Sequence, residues 1–290
     1  MPASDYVSTY LHLWCRINDQ QATVAVRKYL QDNPEHRSMQ AQRARQAHAA
    51  LMHRIPSLSG YVANTPSPGG FQVQGDQYLS HSISRTFIGK GAPNEIQDTI
   101  YLASLCGLVD AGTLAAYADN NLGMDCGGFV ANYWGIGRPT LTHHNPTGSD
   151  GFKPRWIWET YRAQRRTTLD EIQPDDAAVF FDHVYNENPS IPAPLVNGAY
   201  DTTRGSKAFH IGLVATKTPV AGTNRVILEI AESSGAPAAS GGDGVNVRSL
   251  GQIPATVSHG LVYCPDGNNR IYFVGRPNAD PPYPPENQST

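Results

Sequence analysis

Through the first 54 residues, apolar positions recur at intervals of three and four, and this spacing predicts helices. Ser4 or Asp5 can cap the first, in which Tyr6, Tyr10, Leu13 and Ile17 fall on one face. Asp19 can cap a second, running through Val24, Val26 and Leu30 to Asn33 and Pro34. A third runs from His36 to Arg54, with Met39, Ala47, Leu51 and Met52 as its apolar positions and a solvated basic face. From Ser57 to Gly75 the chain turns to Gly, Pro, Ser and Asn, the composition of a linker. Helical spacing returns at 94–105 and 111–118, and again after Cys126. Beyond Asp176 the period shortens to strand-like runs, AVFF, FHIGLVA, RVILEIAE, VNV, HGLVYC and RIYFVG, separated by Gly, Asn and Pro turns. Helices followed by strands predict an α+β fold with an antiparallel sheet. The Pro-rich polar tail from Pro277 predicts disorder. The expected division is a helical extension and linker at 1–75, a main domain at 76–276 and a tail at 277–290.

Composition narrows the function. The 290 residues are 40% hydrophobic and 16% charged, enough apolar content for a substantial core, and the formal net charge is -3. No basic stripe is present to meet the phosphates of a nucleic acid. No apolar run approaches the roughly 20 residues of a membrane span. The opening segment lacks the basic, apolar and small-residue parts of a secretory signal, so synthesis and initial residence in a reducing cytosol are expected. There, the four scattered cysteines predict neither a disulfide framework nor a paired zinc site. Cys15, Cys106 and Cys264 sit in apolar surroundings and read as packing residues.

Cys126 differs. In NNLGMDCGGFVANYWG it stands at the start of a predicted helix, where free backbone N–H groups and the helix dipole favour a thiolate and can hold an oxyanion. The same place also suits a buried structural cysteine. A nucleophile needs a base, and His210, near the start of the strand KAFHIGLVA with Gly212 beside it, is the candidate; His183 is a weaker one. A third group must orient the imidazole. In the strand from Val226, period-two alternation puts Leu228, Ile230 and Glu232 on one face and Glu229 on the other, which selects Glu232, although a strand-end carboxylate can equally be a surface residue. His143, His144 and Asp150 lack a fixed metal-ligand spacing, and Trp156, Trp158 and Tyr161 read as core.

DCGGFV at 125–130 resembles the D-C-S-G-F-V nucleophile motif of the NlpC-type cell-wall peptidases, a circularly rearranged branch of the papain-like cysteine hydrolases. GIGRP at 135–139, LDEIQPDDAAVFF at 169–181 and FHIGLVA at 209–215 resemble, in the same order, that family's post-helix stretch, first core strand and base-bearing strand. IAESSG at 230–235 occupies the place of the strand whose third active-site residue is commonly His. The likeness spans roughly 110–235. Here Gly127 stands for the usual Ser, Asp175 for the Gly of P-G-D, and Glu232 for the His.

The resemblance implies a papain-like core, with a nucleophile helix packed on an antiparallel sheet, and a Cys126–His210–Glu232 catalytic set. Asp125 and Gly127 would lie in the substrate and oxyanion environment, and Tyr117 matches the tyrosine that borders the nucleophile in many members. It further implies hydrolysis of an amide bond in peptidoglycan stem peptides through a thioester, with no metal or organic cofactor. Acyl transfer, transpeptidation and deamidation on the same scaffold, and a binding module without turnover, remain open. Without a signal peptide, the expected setting is an antibacterial effector exported by a non-classical route to a target periplasm. Residues 1–75 would then serve delivery, regulation or an immunity partner.

Overall fold

The computed structural model describes residues 1–30, 39–55, 82–136, 154–182, 195–196, 199–200, 208–235 and 244–277. The expected linker centre, the GRP of GIGRP, the loop with His143, His144 and Asp150, His183, and all but Pro277 of the tail lie outside them. The chain is α+β. Its helices are α1 (Ala3–Leu11), α2 (Met39–Arg54), α3 (Pro93–Leu105), α4 (Leu114–Asn121), α5 (Cys126–Trp134) and α6 (Pro154–Thr160), with a helical turn at 82–87. Strands β1 (Leu13–Ile17) and β2 (Gln20–Val24) form a hairpin. Strands β3 (Ala177–Asp182), β6 (Ala208–Pro219), β7 (Arg225–Ser234), β8 (Gly244–Pro254), β9 (Thr256–Ser258), β10 (Leu261–Asp266) and β11 (Asn269–Val274) form one antiparallel sheet in the order β8-β7-β6-β3-β11-β10-β9. Between β3 and β6, β4 (Leu195–Val196) and β5 (Ala199–Tyr200) pair with each other.

The hairpin corrects the first two expected helices: α1 ends at Leu11, before Leu13 and Ile17, and Gln20–Val24 is a strand. Leu13, Cys15 and Ile17 are buried while Trp14 and Arg16 are exposed, the period of a strand with one face covered. The Asn18 and Asp19 pair, taken for a helix start, is a two-residue turn in which Asn18 has φ 52°. The hairpin is tied to α3 by Gln97 Nε2 donating to the Trp14 carbonyl at 2.7 Å and by the Asn18 N–H donating to Ser104 Oγ at 3.1 Å.

The N-terminal residues are not a separate extension, because they share the main core. Tyr6 and Tyr10 of α1 pack on Phe129 of α5, with ring centroids 5.3 and 6.0 Å apart. Residues 27–30 pass between the lead-in to α5 and the start of β8. The Met124 N–H donates to Lys28 O, the Leu30 N–H donates to Met124 O, and the Val245 N–H donates to Arg27 O, at 3.0–3.1 Å. Gly244, at φ 93°, is required here: a Cβ would lie 1.4 Å from Arg27 O.

The sheet is buried on both faces. Val179, Ile211, Leu213 and Tyr272 join the helices in one core, while Ala178, Phe180, Val214, Ile230 and Phe273 form a second. Across that second core the sheet curls, bringing Arg248 of β8 to Asp266 of β10 at 3.0 Å. Trp158, fully buried against Phe181 and Tyr272, is core as expected, with Trp156 and Tyr161 packed edge to face nearby. Asp175 adopts φ 73° where the resemblance implies Gly, and its carboxylate recovers a hydrogen bond from the Tyr133 hydroxyl at 2.6 Å.

Gly244→Ala is expected to lower unfolding free energy by about 3 kcal/mol, since it adds both positive-φ strain and a backbone clash. Urea unfolding measures this; a loss below about 1 kcal/mol would show that residues 27–30 yield without cost.

Candidate active site

The site forms where the N-terminus of α5 meets the start of β6 and the end of β7. Asp125 is the N-cap of α5: its Oδ1 accepts from the Gly128 N–H at 2.5 Å, and its carbonyl accepts from the Phe129 N–H at 3.0 Å. Gly135, at φ 76°, closes the other end of the helix. With those first-turn donors engaged, the N–H groups of Cys126 and Gly127 have no acceptor among the described residues and lie at the positive end of the helix. The cap is itself held. Asp125 pairs with Lys90, both buried, and its N–H donates to Gly89 O at 2.9 Å. A Cβ on Gly128 would come within 2.6 Å of Gly89 O, so the second glycine after the cysteine is needed for this close approach. Burial pushes the Asp125 carboxyl up from its usual range, against the pull of Lys90 and the Gly128 N–H.

Behind the cap is a buried polar network. Arg85 donates through Nε to both oxygens of Glu95 at 3.0 and 3.1 Å, and through Nη2 to Lys90 O and Asn132 Oδ1 at 2.8 Å each. Asn132 Nδ2 donates to Lys90 O at 3.0 Å. The acceptors here are a carboxylate, a backbone carbonyl and a side-chain amide oxygen, so the loop bearing Lys90 is firmly placed under α5.

Cys126 is 6% exposed, and the side chains of His210 and Tyr29 lie close enough to it for the sulfur to shift the titration of both. His210 reaches Glu232 at the same time, with Nε2 2.9 Å from Glu232 Oε2. A carboxylate only accepts, so Nε2 carries a proton and Nδ1 is the ring atom left for Cys126. Glu232, 2% exposed, accepts at its other oxygen from Arg248 Nε at 3.0 Å. Gly212 is paired with Glu232 across the strands, and a Cβ there would lie 3.1 Å from the Glu232 Cβ and 2.5 Å from Ile230. Burial alone would lower the His210 pKa, but Cys126 and Glu232 outweigh it and raise it to about 9. Burial alone would raise Glu232; His210 and Arg248 outweigh it and hold the carboxyl below its usual range.

Cys126, His210 and Glu232 are thus brought together, with Asp125 and Gly127 beside them. Glu229 lies on the opposite strand face, accepting from Thr216 Oγ1 at 3.0 Å. Tyr117 makes no hydrogen bond to Cys126: its hydroxyl is buried without a hydrogen-bond partner among the described residues. The hydroxyl that reaches Cys126 belongs to Tyr29, delivered by the parallel bridge of Tyr29 with Met124. Burial, then the neighbouring Cys126 and Asp125, keep this phenol protonated well above its usual range, so it is a donor. The signal that could have found it is weak: a period-two hairpin at 13–24, followed by an extended residue pair before the masking Pro34 helix stop. Arg248 was also missed. Cys15 and Cys264 are buried thiols pushed up to about 12 by burial, as packing cysteines are.

Among the described residues no group of three or more potential metal ligands is assembled, and no helix is long and apolar enough to cross a membrane. In comparisons with known proteins, no family model matches the chain, and no curated protein or solved structure is significantly similar to it.

Because His210 is raised in the folded chain, its contribution to stability is complete below the ordinary value of 6.5 and is lost as pH rises through about 9. The stability gap between wild type and His210→Gln is therefore expected to be largest near pH 6 and to narrow by pH 10. Urea unfolding across that range measures it; a constant gap would mean that His210 does not hold its extra proton.

Proposed function

We propose that the protein is a papain-like cysteine hydrolase of the NlpC type, cutting an amide bond in peptidoglycan stem peptides or a related γ-glutamyl or D-amino-acid peptide. The observation that carries this reading is the Cys126 thiol at a helix N-terminus, beside an imidazole that it influences and whose Nε2 is held by a buried carboxylate. The order of the four motifs from DCGGFV to FHIGLVA supports the substrate class.

In this mechanism His210 Nδ1 already holds the Cys126 proton near neutral pH, as its raised pKa requires, and the Sγ thiolate attacks the carbonyl carbon. The oxyanion is received by the N–H groups of Cys126 and Gly127. Collapse of the intermediate breaks the C–N bond, and His210 returns the proton to the leaving amine. Water then attacks the thioester, giving its proton to Nδ1, and the acid leaves as the thiolate is restored. Glu232 keeps the imidazole turned so that Nδ1 faces sulfur throughout.

Purified peptidoglycan incubated with wild type is expected to release muropeptide fragments identifiable by mass spectrometry, and Cys126→Ala is expected to lower release by about a thousandfold or more. Equal release by the two proteins would refute the nucleophile. Products joined to a second amine would assign acyl transfer, and no product from either protein would favour a binding module. The same reading makes the protein an antibacterial effector. Export to the periplasm of a bacterium is expected to cause lysis with wild type and not with Cys126→Ala; harmless export of wild type would argue against that setting.

A further inference from the structure

Glu232 is a buried full charge in the position where the resemblance implies a neutral histidine, and it lies one hydrogen bond from the imidazole. An unscreened carboxylate there would hold the imidazolium proton too firmly for it to serve a leaving amine near neutral pH. Its second oxygen is occupied. Arg248 stands opposite Ile230 on β8, two cross-strand pairs from the Glu232–Asn246 pair, and donates through Nε to Glu232 Oε1 at 3.0 Å. The same guanidinium donates through Nη1 to Asp266 of β10 at 3.0 Å. Its carbon lies 5.3 Å from the centroid of the Phe180 ring, and that ring lies 4.9 Å from the His210 ring.

We infer that Arg248 is a positioning residue for the catalytic histidine: it fixes Glu232 with one oxygen turned to His210 and offsets that carboxylate's charge. The inference rests on the Cys126–His210 reading of the site. A guanidinium does not lose its proton in a protein, so the compensation is permanent across the working pH range. Asp266 holds the fork from the far side and keeps charge alternating along the row His210, Glu232, Arg248, Asp266. Among the described residues, two ionisable groups act on His210 directly and three stand behind them. Cys126 comes from α5, with Tyr29 on its other side; Glu232 comes from β7; Arg248 and Asp266 act through Glu232 from β8 and β10; Phe180 of β3 carries no charge. Asp125 is turned to Lys90 and so is already paired.

A residue that only clipped the curled sheet together would affect stability and leave the histidine's titration alone. The test is therefore the His210 ring ¹⁵N titration by NMR, run beside the pH dependence of Cys126 alkylation by iodoacetamide, on the full chain. Arg248→Met is expected to raise the His210 midpoint by about one pH unit, because Glu232 then acts unscreened, and Arg248→Lys is expected to recover most of the shift. Should Arg248→Met not fold, Asp266→Asn serves instead: it leaves Arg248 wholly to Glu232 and is expected to move the midpoint down. A midpoint unchanged in a folded variant, or moved the opposite way, would overturn the inference. A Cys126 inert to iodoacetamide in wild type would instead sink the hydrolase reading, whatever His210 does. A reactive Cys126 with a His210 indifferent to Arg248 would sink the present inference alone.

Discussion

Two consecutive residues of β7 hold both halves of the site. Glu232 accepts from His210 on one side of the strand, and Ser233, on the other, donates from Oγ to the Met124 carbonyl at 2.7 Å. Met124 lies two residues before the nucleophile, and its N–H and carbonyl are also paired with residues 28 and 30. Strand geometry sends neighbouring side chains to opposite faces, so one stretch of extended backbone sets the distance between the lead-in to the nucleophile helix and the base. Most other features of the site accommodate this constraint. Gly89, Gly123, Gly235 and Gly244 each make room for residues 27–30 or the start of α5, and a Cβ at any of them would meet a neighbouring atom at 2.7 Å or less.

That arrangement gives the N-terminal residues a role that their distance along the chain conceals. Residues 27–30 form a wall of the site, and Tyr29 brings a hydroxyl to the sulfur. A segment expected to serve delivery or regulation is instead structural in its first 30 residues, because its hydrophobic face is part of the core.

Much of the site was legible in the sequence because its three central residues are specified locally. Cys126 could be read from a helix start with an Asp cap, His210 from its place on an apolar strand, and Glu232 from period-two alternation, which also excluded Glu229. The sheet was legible for the same reason: each strand carries its own turn signals and apolar alternation. Tyr29 and Arg248 were not legible, since each is specified by which segments meet in space. Tyr29 depends on a parallel bridge between residues 95 positions apart in sequence. The hairpin before it was hidden because Tyr6, Tyr10, Leu13 and Ile17 also satisfy a helical period, and Asn18 and Asp19 serve a turn as readily as a cap. Tyr117 had the sequence proximity to Cys126 that suggested a neighbour, but on α4 its hydroxyl is buried without a hydrogen-bond partner among the described residues.

On the proposed reading, a carboxylate at position 232, where the resemblance implies a histidine, ties the chemistry to the curvature of the sheet. A buried carboxylate with one partner would leave an oxygen without compensation, which is costly in a site shielded from water. Its second partner cannot come from β6, whose facing positions are taken by His210 and Gly212, so it comes from β8, the edge strand on the other side of β7. An arginine reaching inward from an edge strand needs an acceptor for its other end, and β10 can supply Asp266 only because the sheet folds over its second core. The Phe180 ring, packed between guanidinium and imidazole, closes the apolar side of this path. A flatter sheet would leave Arg248 in solvent and Glu232 half satisfied, and the carboxylate would then be a poorer choice than the histidine that the resemblance implies.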